Sequence, residues 1–499
     1  MPIEPVFEKL NVKEKAGEVV RQVKVECKTD VPSNEIQRVL NDNVCVSVTL
    51  GDVVNGKAEF VGRSTFFICY LTEDGIKKCE CGAEIKDSFV SDAISEGDTV
   101  RISWETDKLV TDLSGLKMTV SAYLTVKGEV YKKNEYSALT GGDGVYCDLA
   151  GVKTVRPCGT VFSVYQAEEE FDMDFAVKEV LSHKAEVCLT QVQCGVGTVI
   201  VDGEIYLTEI LLQSGEKKDI IRENRVIPFR AEAECEDAMP QTLSTCRAYV
   251  KSLKTDVSVD ETKNLSTVTV LVTVELNGEA YALTEESFAR DAFSTENELS
   301  LVRSGVSFSA IGAPISEFVK ISGRANVEDV GASRVIAVVG EKAEVVSLSR
   351  SGNGLDAYGT LSCNVWLLSE DEQVINRKTE IPFNIALADA NSEECEVVVA
   401  VKSSTAKLIT LTEIECEAEA VFTLYQTEKY SAEIISGLEA GEEKATPTAA
   451  ISVYIPIAGE GLWELSKRLN VCPETLVANN SELQFPLTGK ERIVVYRQK

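Results

Sequence analysis

The sequence predicts a mainly β protein: three tandem antiparallel β-sandwich modules followed by a small βααβ domain. Three observations lead there. The first is strict alternation in three long stretches. In Glu413 to Tyr430, Ile414, Cys416, Ala418, Ala420, Phe422 and Leu424 point one way, and Glu413, Glu415, Glu417 and Glu419 the other. Met118, Val120, Ala122, Leu124 and Val126 alternate with polar neighbours, as do Val268, Val270, Val272, Val274 and Leu276. Period two is the mark of a strand with one buried and one wet face. The second observation is repetition: these strands run out at the near-evenly spaced Tyr131, Tyr281 and Tyr430. The third is a change of character over the last fifty or so residues, where helical spacing enters.

The totals bound the rest. A chain of 499 residues is too long for one core, and three or four domains are expected. Its 44% hydrophobic and 26% charged residues are those of a globular protein. The net charge of −30 argues against nucleic acid and against an anionic membrane surface, both of which select basic patches. The first residues, MPIEPVFEKL, lack the apolar core of a signal peptide, and no apolar run has spanning length, so neither export nor membrane insertion is expected. The longest apolar burst, Phe66 to Leu71, has strand length. The 15 cysteines are scattered, odd in number and free of Cys-x-x-Cys; Cys79 and Cys81 sit too close for a relaxed disulfide. They read as small apolar fillers in a reducing compartment, with later oxidative cross-linking of an assembled layer as the alternative.

In chain order, residues 1–34 read as an exposed N-terminal segment, partly helical over Glu8 to Val25. The first module, 35–131, has strand candidates at Val44 to Leu50, Lys57 to Leu71, Thr99 to Glu105 and Lys117 to Tyr131, parted by Glu73-Asp74-Gly75 and Glu96-Gly97-Asp98. After a connecting segment, 132–182, the second module, 183–281, opens with Lys184-Ala185-Glu186-Val187. It carries Asp202-Gly203 where the first has Val61-Gly62, then Ile227-Pro228-Phe229. A second connecting segment, 282–340, precedes the third module, 341–430, which repeats Lys342-Ala343-Glu344-Val345, Tyr358-Gly359 and Ile381-Pro382-Phe383. The first copy matches in pattern alone. Residues 431–449 read as an acidic linker, clearest over Gly437 to Ala449.

Residues 450–499 predict strand, helix, helix, strand. Ile451 to Ile455 meets the turn Gly459-Glu460-Gly461, and Leu462, Leu465 and Leu469 share one helix face. Cys472-Pro473-Glu474 starts a second helix, with proline at the favoured first position and an acid in the first turn. It ends near Asn479-Asn480, and Pro486-Leu487-Thr488-Gly489 turns into a strand at Arg492 to Tyr496. This stretch resembles a LysM domain, whose pattern appears here as Gly459-Glu460-Gly461-Leu462-Trp463, Leu476 to Asn480, and Pro486 to Gly489. It departs from the family with Glu460 for the usual aspartate and Gly461 for the usual threonine. The resemblance implies a binding surface for N-acetylglucosamine-containing glycan, or for protein, on Gly459, Glu460, Gly461, Leu462, Trp463, Asn479, Asn480, Pro486 and Leu487.

The three β modules look like SPOCS domains of endospore-forming bacteria. Over about residues 35–498 the order is similar to clostridial spore-coat assembly proteins with SPOCS repeats and a terminal LysM. That resemblance implies a non-enzymatic scaffold in the mother-cell cytoplasm at the forespore surface. Its partners would be a coat-morphogenetic ATPase and other spore-coat proteins. A peptidoglycan-binding protein of cortex or wall is the alternative.

No catalytic residues, metal ligands or cofactor site are expected. His183, the only histidine, reads as an ordinary surface or turn residue, so a Ser-His-Asp or Cys-His centre has nothing else to build on. Histidine zinc sites fail by count, four-cysteine sites by spacing, and no phosphate-cradling glycine loop is present. Gly141-Gly142-Asp143-Gly144 reads as a loop. The Glu413 to Glu419 row is a solvated face, or else an acidic docking stripe. Trp463 is weighed between the small domain's core or rim and direct ligand contact. Trp104 and Trp366 read as sandwich core, and Leu462, Ile493 and Val495 as core.

Overall fold

In a computed structural model, the described residues are 3–31, 36–114, 116–215, 219–260, 262–328, 331–352, 354–370, 373–387, 394–445 and 451–496. They are mainly β, in several antiparallel sheets with two short helices. The first six strands are β1 (Glu4–Asp30), β2 (Arg38–Val54), β3 (Lys57–Thr72), β4 (Gly75–Val90), β5 (Thr99–Ser114) and β6 (Lys117–Asp143). They form sheets β1-β6-β5 and β2-β3-β4, whose apolar faces share a core of Phe60, Phe66, Ile85, Phe89, Met118 and Leu124 among others.

The same order recurs. Strands β7 (Tyr146–Met173), β8 (Val177–Cys194), β9 (Thr198–Gln213), β10 (Ile220–Glu234), β11 (Leu243–Asp260) and β12 (Leu265–Phe293) form β11-β12-β7 and β10-β9-β8 around a second core. Next come β13 (Asn297–Ile311), β14 (Ile315–Asn326), β15 (Ala332–Ser351), β16 (Gly354–Ser369), β17 (Val374–Leu387), β18 (Glu394–Thr410) and β19 (Glu413–Glu443). Sheet β15-β16-β17 packs on the sheet built around β19. The long partner of β19 is broken at Gly312-Ala313-Pro314 into β13 and β14, since proline cannot donate to a ladder.

Glycine fixes the centre of each smaller sheet. Gly62, Gly203 and Gly359 pair with Val48, Leu189 and Val345 on one side and with Ile85, Phe229 and Phe383 on the other. A Cβ at these positions would lie 2.2, 2.6 and 2.1 Å from the carbonyl oxygens of Ser47, Cys188 and Glu344. Only glycine permits that approach. The register therefore supplies the counterpart of Ile-Pro-Phe in the first copy, at Ala83-Glu84-Ile85, which shares no sequence echo with it.

Several sequence expectations are corrected. Residues 4–30 are a strand, not a partly helical exposed segment, because β1 pairs with β6 from Glu4↔Asp143 to Asp30↔Lys117 and buries Leu10, Val12 and Val25. The alternating strands do not run out at Tyr131, Tyr281 and Tyr430. What ends near there is the third strand, at Thr99↔Tyr131, Leu243↔Tyr281 and Glu394↔Thr427, while β6, β12 and β19 continue as two-stranded ribbons. The segments 132–182 and 282–340 are largely strand in consequence. So is the expected acidic linker as far as Glu443, where β19 pairs with Asn297; residues 446–449 of that linker lie outside the described residues.

The three ribbons converge. Leu10, Val12, Ala138, Phe288, Val306, Phe308 and Ile434 form one shared cluster, and Leu139, Val145, Ala289, Ala292 and Ile435 the next layer. At the opposite side Leu40, Cys69, Leu181, Ile210, Leu212, Ala337, Val339 and Trp366 join the three smaller sheets. Trp366 thus lies between the sheet pairs, not inside one, with its Nε1 donating to Leu40 O at 3.1 Å. Truncating Phe308 to alanine should lower unfolding free energy by about 3–5 kcal/mol in urea titration, whereas Phe318→Ala, at 65% exposure, should stay within roughly 0.5 kcal/mol of the parent.

Candidate functional site

The C-terminal unit consists of β20 (Ile451–Tyr454), α1 (Leu462–Leu469), α2 (Pro473–Asn479) and β21 (Ile493–Tyr496), with β20 and β21 antiparallel. Its core is Leu465, Leu469, Val471, Leu476, Leu487, Ile493 and Val495, with Leu462 packed beside it. Helix α1 ends because Asn470 adopts φ 55°, ψ 49° and returns its N–H to Ser466 and Lys467 carbonyls. Pro473 and Glu474 open α2.

The two loops holding the sequence-predicted site lie side by side. Gly459 N donates to Leu487 O at 2.7 Å, and Leu487 N to Glu460 O at 2.9 Å. Several of the predicted residues are structural. Glu460 is buried, takes Arg468 Nε and Nη2 at 2.7 and 2.8 Å and accepts the Ile457 N–H at 3.0 Å. Arg468 holds the Glu460 carboxyl below its usual range. Asn480 staples α2 to β21, donating to Leu476 O and Val494 O and accepting from Val494 N. Leu487 belongs to the core. Gly459 and Pro486 are exposed; Gly461, Leu462 and Asn479 are half-buried.

Trp463 faces the β body. Its ring meets Phe293 at the end of β12 edge-on, centroids 5.1 Å apart, and its Nε1 donates to Asp291 Oδ2 at 2.9 Å. Lys467 Nζ reaches both Asp291 oxygens at 2.8 and 2.7 Å, and Asn470 Nδ2 donates to Thr295 O at 2.6 Å. Burial pushes the Asp291 carboxyl up, but Lys467 and Trp463 outweigh it and leave it below the usual carboxylate range. Sequence reading missed this latch. Asp291, Phe293 and Thr295 stand over 160 residues from their partners, and only the basic last turn of α1 hinted that it faced an acid.

Two cavities lie elsewhere, where the sheet pairs meet. One of about 500 Å³ and one of about 900 Å³ share Glu105, Glu186, Lys342 and Glu344. Four of their cations are engaged internally: Arg247 with Glu396, Arg101 with Glu129, Lys342 with Glu344, and Lys184 with Glu186. Trp104 stacks on Tyr249 of the second sheet pair at 4.2 Å, so it is a junction residue as well as a core neighbour. Three of the four glutamates in the row are likewise met: Glu415 by Lys407, Glu417 by Lys320, and Glu413 by Arg324. That leaves little free negative charge for a docking stripe. Among the described residues no group of three or more His, Cys, Asp or Glu is arranged to hold a metal, and no helix is long and apolar enough to cross a membrane.

His183 is neither a surface nor a turn residue. It lies in β8 against Phe67 of β3, ring centroids 4.5 Å apart, with Nδ1 2.9 Å from Thr255 Oγ1 and Nε2 buried without a partner. Pairing of β8 along β9 carries it into the junction between the first two sheet pairs. Burial, with Lys78 adding, lowers its pKa to about 4.

Comparison with family models, curated proteins and solved structures finds no match to this chain.

Two outcomes follow from this geometry. Asp291→Ala should free the C-terminal unit, seen as a severalfold rise in Trp463 quenching by acrylamide, with far-ultraviolet circular dichroism unchanged. For His183, the unfolded chain takes up its proton near the ordinary pKa of about 6.5, and the fold resists until about 4. Stability is therefore complete above the higher value and is lost as pH falls, by roughly 2 kcal/mol between about pH 7 and about pH 5. His183→Gln should flatten that segment of the urea-midpoint profile.

Proposed function

We propose that this chain is a non-enzymatic scaffold of endospore coat assembly. In this reading the three sheet pairs are three tandem β-sandwich modules of the SPOCS kind, and the C-terminal unit is a LysM domain. It grips a coat-morphogenetic ATPase at the forespore surface from the mother-cell cytoplasm, while the β body recruits further coat proteins. The observation that carries the proposal is the pairing of the Gly459–Glu460 loop with Leu487 in a strand–helix–helix–strand unit. The two stretches that a LysM reading expects to bind thus lie side by side, which supports that reading.

The chemistry of the described residues supports grip over bond-making. The one histidine is locked between Phe67 and Thr255, and ion pairs such as Arg101 with Glu129 and Arg247 with Glu396 line the larger cavities. With Trp463 docked on Phe293, the exposed members of the rim are Gly459 and Pro486, with Gly461, Leu462 and Asn479 half-buried beside them.

The test is capture from sporulating lysate with the full chain and with a variant lacking residues 450–499. The full chain should retain the ATPase and the variant should lose it, with its strand signal by circular dichroism preserved. Equal capture by both removes the site from the C-terminal unit. Retention of the full chain but not the variant on purified peptidoglycan, without ATPase capture, replaces the protein partner with a glycan.

A further inference from the structure

Three sulfurs meet in the first sheet pair. Cys27 lies on β1, and Cys79 and Cys81 lie on β4, two strands that each edge a different sheet. The edges are laid against each other: Cys27 Sγ is 3.4 Å from Gly82 O, and Cys79 Sγ is 4.0 Å from Thr29 Oγ1. Cys81 precedes Gly82 on β4 and so lies beside Cys27, and its two thiol neighbours push the Cys81 thiol up. All three are half-buried on the rim of the first core. By contrast the thiol pair of the third sheet pair, Cys363 and Cys416, is 3% and 2% exposed, sealed inside its core. The three rim sulfurs do not make a metal-holding group.

We propose that Cys27 and Cys81 are a modification site that closes an intramolecular disulfide across the two sheets when the chain meets a low-molecular-weight disulfide of the glutathione class. Cys79 is the entry thiol. Its neighbours Cys81 and Thr29 lower its pKa and so favour its thiolate, which is the attacking species in exchange. It attacks one sulfur of the small disulfide; that S–S bond breaks and one thiolate leaves. Cys81 then attacks the Cys79 sulfur and expels the second small thiolate. The adjacent Cys27 attacks Cys81 and returns Cys79 to its thiolate, since a bond between two cysteines flanking one strand residue is strained. The balance is two protein S–H bonds broken, one S–S bond formed, two electrons passed to the small disulfide and two protons released. The product fastens β1, which its own sheet holds along one side only, to the facing sheet.

The test is peptide mapping by mass spectrometry of the folded full chain after treatment with glutathione disulfide. The expected product is a Cys27–Cys81 linked peptide, with a thermal midpoint roughly 5 °C above that of the reduced chain. Cys81→Ser and Cys27→Ser should each abolish the link, and Cys79→Ser should slow its formation at least tenfold. Circular dichroism under reducing conditions checks folding, with Cys27→Ala as the second variant should the serine disturb packing. A stable glutathione adduct without a linked peptide, a Cys79–Cys81 bond as end product, or bonds between chains would each overturn the proposal.

Discussion

A two-stranded ribbon cannot bury its own apolar face, and the architecture depends on that constraint. Beyond Tyr131, Tyr281 and Thr427 the third strand of each larger sheet stops, yet β6, β12 and β19 run on for another 12 to 16 residues with a single partner. An isolated hairpin of that kind is marginal in water. Here three ribbons supply one another with the missing layer through Leu10, Phe288, Phe308 and Ile434. Each sheet pair has a core of its own, but the ribbon ends have none until all three are present. The folding of the ends is therefore tied to the assembly of the whole β body.

The junctions between sheet pairs are built differently from the cores. Where backbones approach, apolar residues seal them, with Trp366 fully buried against Leu40 and Val339. Where they stand apart, the walls carry charge, and the charges are paired across the gap: Arg222 of β10 with Glu341 of β15 at 2.6 Å, and Arg247 of β11 with Glu396 of β18. Burial pushes the Glu341 carboxyl up, while Arg222 and Lys184 outweigh it and hold it ionised. Removing one partner of such a pair leaves a desolvated charge, which costs far more than the intact pair contributes.

The strands at Met118, Val268 and Ile414 were legible because period two is written directly in the residues. The N-terminal strand was not, because its buried residues Leu10, Val12 and Val25 are few and spaced among lysines and glutamates, some of whose partners, such as Glu135 for Lys9, lie on β6. The end of β19 hid for the same reason: Glu439, Glu442 and Glu443 are exposed and Gly437 and Gly441 weaken any strand signal, so composition pointed to a linker. The junction residues carried no local signal at all. Asn41 bonds to Ser182 and to Asn364, partners 141 and 323 residues away, and nothing beside it in the chain foretells either. In the C-terminal unit the loops and helices were readable from turns, caps and leucine spacing, whereas the outward face of Trp463 was decided by an acid on another unit.

That last contact bears on how a terminal grip would work. Phe293 and Asp291 stand at the far end of β12, in the ribbon layer that the three sheet pairs build together. Trp463, Lys467 and Asn470 seat α1 on that end, and Lys444, just after β19, reaches both Asn470 Oδ1 at 3.0 Å and Ser294 O at 2.9 Å. The small unit is thus held to the end of β12 and the residues that follow it. A partner that grips only Gly459, Asn479 and Pro486 meets a preorganised rim and loses little freedom on binding. A partner that needs the indole must first break the latch to Asp291, and its affinity falls by the fraction of time the latch is closed. The proposed scaffold role favours the first case, because a load-carrying link is best made on a face that the body already holds still.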